Sequence, residues 1–253
     1  MSLLTDTGAV FVRDTRSKLR TPWPYMESMA DPLLLLMLFG PLVAALGGIP
    51  GIPAGNTMQW FVPGMLVLMV FTTSAFIGAG FQEERGSGAL ERMLVTPVNR
   101  FALLAGRVLR VVVVVVIQAA VVALATVPFG LRLPPIATPL ALLQLAVLAA
   151  ALGTVSLAVG LALKSSYAFW GVVSLVYTPI VVTSGALLPM ELAPGWLFAI
   201  SRVNPLAHAV EGQRALFAAD VTSTAALLGF AVPLLFGLVG AVLGTQSMRR
   251  VRV

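Results

Sequence analysis

Apolar residues come in long unbroken runs along this chain. From Pro32 to Gln82, 51 residues carry no charge, and from Val111 to Leu131 another 21 carry none. A helix that crosses the hydrocarbon of a bilayer needs about 20 apolar residues at ~1.5 Å of rise each. Six spans could fit, at about residues 33–49, 58–81, 103–128, 140–163, 167–190 and 225–248, the first of them short and followed by the breaker run PGIPAGN. The run VVVVVVI, Val111 to Ile117, has the propensity of a buried strand. However, the apolar stretch around it is about 20 residues long, and an open strand in lipid would leave its backbone unpaired. A β-barrel would alternate in segments of about ten residues, and no such alternation is present. The pattern predicts an all-α integral membrane protein, folded as a single transmembrane domain over residues 1–253.

Composition agrees. Of the 253 residues 58% are hydrophobic and only 10% charged, with a mean hydropathy of +0.97, whereas soluble domains carry about 25% charged residues. There is no cysteine, which removes disulfides, thiolate metal sites and cysteine nucleophiles together. The N-terminal stretch contains acids and lacks a short apolar core followed by a small-residue cleavage site, so it does not read as a signal peptide.

Sixteen basic residues against ten acidic give a formal charge of +6. Their placement favours a membrane topology over nucleic acid as the explanation. With the N-terminus in the cytoplasm, thirteen basic residues fall inside: Arg13, Arg16, Lys18, Arg20, Arg85, Arg92, Arg100, Arg107, Arg110, Lys164, Arg249, Arg250 and Arg252. Arg132, Arg202 and Arg214 fall outside. Cytoplasmic loops collect Lys and Arg, so both termini are expected in the cytoplasm of a plasma membrane.

Between the second and third spans the chain could turn in a few residues, yet it spends eighteen on EERGSGALERMLVTPVNR, Glu83 to Arg100, with six charges. Ser87 or Gly88 can start a helix there, and Pro97 stops it by pushing Thr96 out of the α region. Leu90, Met93 and Leu94 share one face, with Glu91 and Arg92 turned away. The product is a short amphipathic helix at the cytoplasmic surface. It can rest on lipid headgroups or serve as a knob for a cytoplasmic partner, and on these grounds the two readings weigh equally.

Residue types narrow the chemistry further. His208 is the single histidine, without a partner at metal-ligand spacing. Glu211 and Arg214, at i and i+3, suit an ion pair within one helix. Glu83 and Glu84, where the second span ends, can pair with Arg107 or Arg110 or with the N-terminal basic residues, or simply be solvated at the interface. Gln118 and Gln144 are amides deep in apolar spans. They suit bonds between helices, with contact to a transported molecule as the second option. Small residues at Ala149/Gly153, Ser156/Gly160 and Gly240/Gly244 permit close helix packing, though in a chain this rich in Ala and Gly the spacing says little. Leu192 to Ile200 and Pro205 to Ala219 are apolar but too short to cross, and Arg202-Val-Asn-Pro joins them, with Pro205 suited to a helix start.

Several motifs, in their order, resemble the permease subunits of type-2 ABC exporters, the drug and polysaccharide exporter family. The loop reads Glu84-Arg85, Gly86, Leu94 and Thr96-Pro97. Downstream stand Ser184-Gly185 with Pro189, Pro194-Gly195-Trp196-Leu197, Asn204-Pro205-Leu206 and Arg214-Ala215-Leu216, and Asp31-Pro32-Leu fits at the start. The resemblance implies six transmembrane helices, preceded by an amphipathic elbow helix, and a dimer with a second copy or a related permease around a central pathway. Residues 87–97 would be a coupling helix seated in a separate ATPase. The coupling residues would be Glu84, Gly86, Leu90, Glu91, Arg92, Met93, Leu94, Thr96 and Pro97. Two short re-entrant helices would follow the fifth span, bearing Asn204, Pro205, His208, Glu211 and Arg214 near an outer gate.

The chain has no G-x-x-x-x-G-K-[ST] phosphate loop. ATP and magnesium are therefore expected on partner ATPase subunits, two of them, and no cofactor on this chain, which is expected to be no enzyme itself. Besides these subunits the expected partners are a second permease and membrane lipid, not nucleic acid. An ion-coupled secondary transporter would bury carboxylates at mid-membrane, and an intramembrane enzyme would need convergent catalytic groups there. The span centres carry neither. The expected cargo is an amphipathic or hydrophobic compound: a drug, a lipid, a lipopeptide or a lipid-linked glycan.

Overall fold

The computed structural model describes residues 57–86, 100–163 and 165–250, with scattered positions (7–8, 10–12, 15, 30, 32–39 and 41–42) before them. Seven α-helices run through the three long stretches: α1 Thr57–Gly86, α2 Arg100–Thr126, α3 Ala137–Ala162, α4 Ser166–Thr183, α5 Gly195–Ser201, α6 Pro205–Phe217 and α7 Thr224–Arg250. Short 3₁₀ turns, Val127–Phe129 and Met190–Leu192, sit between them. No strand occurs among the described residues, and the valine run is helical. Among the described residues, five helices are long and apolar enough to cross a bilayer: α1, α2, α3, α4 and α7. Of the first expected span, residues 32–39 and 41–42 are helical and the rest lies outside the described residues. So do most of the elbow and all of the 87–97 segment.

Two boundaries depart from the hydrophobic pattern for local reasons. The fifth span was expected to reach residue 190, but α4 stops at Thr183. Ser184 turns its hydroxyl onto the Val181 carbonyl (2.6 Å), and Gly185 adopts φ +70°, a left-handed conformation that glycine takes without strain. At the other extreme, α1 continues past the expected residue 81 through Gly86, because its polar last turn finds partners on α2 and α3.

α1 forms the axis of the bundle, with Phe61, Val62, Leu66, Val67 and Val70 fully buried. It runs parallel to α3, and α3 runs parallel to α7. Close approach makes both contacts. Ser156 receives the Gly78 amide (3.0 Å) and donates to the Ala75 carbonyl (2.6 Å). Gly160 faces the Gly78 backbone, and Gly153 faces Ile77. On α7, Gly237, Gly240 and Gly244 lie against Ala151, Val155 and Ala158. The small-residue spacings that carried little information in the sequence are thus the helix contacts themselves. Without a hydrophobic force between helices in lipid, such packing supplies much of their association.

Gly78 tests that packing. A Cβ there would fall onto the Ser156 carbonyl and, at 2.6 Å, onto the Phe169 ring, whereas a Cβ at Gly80 meets nothing within 4 Å. Gly78→Ala should lower stability by about 1–3 kcal/mol through overpacking, and Gly80→Ala should leave it unchanged or slightly raised. Thermal unfolding of the two variants in the same detergent checks the contrast.

Candidate functional site

Polar side chains gather at the two ends of the bundle. At the end where α1 finishes and α2 begins, Gln82 is buried and donates to the carbonyls of Gly160 and Leu163 (2.8 Å for the latter), in the last turn of α3. Those carbonyls have no partner within their own helix. Arg85 adds a longer bond to Leu163 (3.4 Å). Glu84 pairs with Arg107 of α2, one of the partners expected for it. The Arg107 guanidinium is almost wholly buried and lies over the Phe81 ring, 5.3 Å from its centre. Thr7 and Val10 close over Gly106 on the same end. The α1 terminus at Gly86, inside the charged segment that begins at Glu83, is therefore tied to both α2 and α3. Of the expected coupling residues only Glu84 and Gly86 are described. Leu90, Glu91, Arg92, Met93, Leu94, Thr96 and Pro97 lie outside the described residues.

The opposite end is organised by α6. Asn204 caps it, accepting from the Leu206 amide (2.9 Å), and Pro205 occupies its first turn. The Asn204 amide also donates to the Ile180 carbonyl and the Thr183 hydroxyl of α4, both at 2.8 Å. Arg214 joins three elements. Its Nε donates to the Trp60 carbonyl of α1 (3.1 Å), and its Nη2 donates to Gly185 (2.8 Å) and Ala186 (3.4 Å) in the turn after α4. Its guanidinium lies 3.8 Å over the Trp60 ring. The helix spacing suggested an ion pair between Glu211 and Arg214. Instead Glu211 pairs with Arg202 (3.1 Å) on the exposed side, because Arg214 points inward, where backbone carbonyls take its donors. Packing around Arg214, which lies outside the spanning helices, lowers its pKa from the ordinary arginine range to about 10. Desolvation outweighs the attraction of Glu191 and Glu211, and the group stays charged at neutral pH. His208 meets the Arg202 carbonyl through Nε2 (2.9 Å).

Between the ends, α6 is bonded into the core. Gln213 donates to the Ala141 carbonyl (2.8 Å) and to Gln144 Oε1 (3.2 Å), and Gln144 donates to the Ala209 carbonyl (3.0 Å). The Gln144 side chain occupies the gap left by Gly212 and Gly229. Gln144 thus makes bonds between helices, as its position suggested, and Gln118 is likewise buried. Sequence reasoning passed over Gln59, Trp60, Gln82 and Gln213. Gln59 donates to the carbonyls of Arg132 (2.9 Å) and Phe217 and accepts from the Arg132 amide (2.8 Å). Gln59 and Gln82 lie inside the 51-residue charge-free run, and that was the available signal: an amide in such a run needs a partner.

Residues 5–218 match the family described as ABC-2 type transporter. The chain belongs to that family. It is similar to a putative transport permease ycf38 of Cyanophora paradoxa, 31% identical over 78% of this chain and 69% of the relative. It resembles the daunorubicin resistance ABC transporter permease protein DrrB1 of Streptomyces coeruleorubidus at 26% over 77% and 69%. A probable multidrug ABC transporter permease YbhR of Escherichia coli K12 is 28% identical over 65% of this chain and 45% of its own length. The chain is accordingly a transmembrane subunit of an ABC transporter. In this ABC-2 permease three of the motifs that carried the resemblance are structural joints: Ser184-Gly185 makes the turn after α4, Asn204-Pro205-Leu206 starts α6, and Arg214 binds the turn to α1.

Arg214 and Arg202 should differ sharply on substitution. Arg214→Ala leaves three carbonyls short of a charged donor and should cost about 2–3 kcal/mol, whereas Arg202→Ala removes an exposed pair worth under ~1 kcal/mol. Thermal unfolding of the purified permease, with expression level as a second readout, measures the difference.

Proposed function

We propose that this permease is the membrane half of an ATP-driven exporter. Residues 86–97 dock in a groove of a separate ATPase, and the cargo is an amphipathic or hydrophobic compound taken from the cytoplasm or the inner leaflet. The observation that carries the reading is the anchoring of α1 immediately before the docking segment. Gln82, Glu84 and Arg85 fix its last turn to α3 and to Arg107 of α2. A helix resting on lipid needs no such anchorage, whereas a segment that passes motion from a partner into the bundle needs ends that do not slip. The names of two relatives, in daunorubicin resistance and multidrug transport, support a drug-like cargo.

The working unit in this reading contains two permeases, two copies of this chain or this chain with a relative, and two ATPase subunits that hold ATP and magnesium. This chain, a single permease domain, contributes six spans to a bacterial plasma membrane, with both termini in the cytoplasm. The exposed side of α4, where Tyr167, Leu175 and Val182 face outward, suits contact with the second permease.

Leu94 and Met93 are the anchors of the docking helix, and Arg92 lies at its rim. Buried interface anchors cost about 2 kcal/mol or more when truncated, and rim charges much less. Leu94→Ala or Met93→Ala should weaken co-purification of the ATPase about 30-fold and abolish the permease-dependent part of ATP hydrolysis in vesicles, while Arg92→Ala changes both little. Wild-type behaviour after residues 88–95 are replaced by a polar linker would remove the docking assignment.

A further inference from the structure

We propose that Asn204 is a latch that holds the outer end of α4 against the bundle, and that α4 leaves this latch during transport. The proposal rests on the exporter reading for its purpose, but the latch itself rests on geometry. Within a single permease, α4 is the least covered of the described crossing helices; its exposed side is the one assigned above to the second permease, so the latch is argued from its contacts inside the chain. Only Phe169 and Thr183 are buried along it, while Tyr167 is 90% and Leu175 76% exposed. Its neighbours are joined by close backbone approach and by side-chain donors to carbonyls, whereas the middle of α4 meets α1 through ring contacts. Phe71 stacks on Tyr177 (5.5 Å) and Phe76 tilts against Trp170 (5.4 Å).

Near its end the helix is built to bend. Pro179 removes one hydrogen bond of the helical ladder, and the chain reverses at Gly185. Beyond that point it is fixed. The carbonyls of Gly185 and Ala186 are held by Arg214, and Ala186 packs against Gly64 of α1. A bend point therefore lies next to a fixed pivot, and the last turn of α4 between them is held to α6 by the Asn204 amide. One side chain carries two tasks: Oδ1 caps α6, and Nδ2 holds Ile180 and Thr183. If the latch opens at the membrane surface, water can replace Asn204 at the Ile180 carbonyl. Release there is far cheaper than it would be in hydrocarbon.

The two tasks can be separated by substitution. Asn204→Asp keeps an oxygen for the cap but loses both donors to α4, whereas Asn204→Ala loses cap and latch. The reporter is a single cysteine at Ser184, which is 1% exposed in a chain with no native cysteine. It is labelled with a membrane-impermeant maleimide in proteoliposomes of the permease alone. Labelling should rise at least about tenfold in Asn204→Asp as in Asn204→Ala, and remain slow in Arg202→Ala. Slow labelling of Asn204→Asp would overturn the latch and leave Asn204 as a helix cap only. The transport step is tested in the complex with the ATPase, by bridging Thr183→Cys and Asn204→Cys with a short bis-methanethiosulfonate. Permease-dependent ATP hydrolysis should fall at least about tenfold and return on reduction; equal rates would show that the cycle does not require this contact to open, and would overturn the transport step. If the wild-type complex has no permease-dependent hydrolysis, the exporter reading fails instead, and the labelling result still decides the latch.

Discussion

Carbonyl groups at helix ends, and those freed by turns, must find donors wherever water is scarce, and this requirement shapes the molecule. An unsatisfied backbone group in hydrocarbon costs several kcal/mol. Here side-chain donors from neighbouring helices meet the requirement. Gln59 and Gln82 stand 23 residues apart on α1, about 34 Å at ~1.5 Å per residue, close to the ~30 Å of a hydrocarbon core. Each reaches a carbonyl of another element: Phe217 and Arg132 at one end, Gly160 and Leu163 at the other. Gln144, Gln213, Asn204 and Arg214 do the same for the turns and for α6.

These bonds divide the molecule mechanically. α1, α3, α6 and α7 are locked by glycine contacts and amide-to-carbonyl bonds, and α2 joins them through Arg107 and Glu84. α4 stands apart from this body. Force applied where α1 ends would move a well-connected unit, and the weakly covered helix is the part able to respond differently.

Much of the fold was legible from hydropathy. Runs of about 20 apolar residues located the five crossing helices found among the described residues, and length overruled the strand propensity of the valine run. Asn204-Pro205 was readable as a helix start because the capping chemistry is local. Arg214 was not readable: its sequence neighbour Glu211 offered a plausible ion pair, while its real partners, Trp60 and Gly185, are brought to it only by the fold. Glycine stripes were visible but indistinct, because in an Ala- and Gly-rich chain the spacing occurs everywhere, and only the contacts show which glycines matter. Gln59 and Gln82 were overlooked because amides break no charge pattern.

The central claim is that side-chain donors to carbonyls hold this bundle together more than the apolarity of its helices does. Gln82→Leu separates the two. Leucine is more soluble in lipid than glutamine, so a bundle held by apolarity would be unchanged or more stable. Loss of the donor to Gly160 and Leu163 should instead destabilise it by about 1–2 kcal/mol. Reversible unfolding of wild type and Gln82→Leu in the same lipid–detergent mixture measures this. A loss of that size is the expected result, and equal or greater stability of the leucine variant would contradict it.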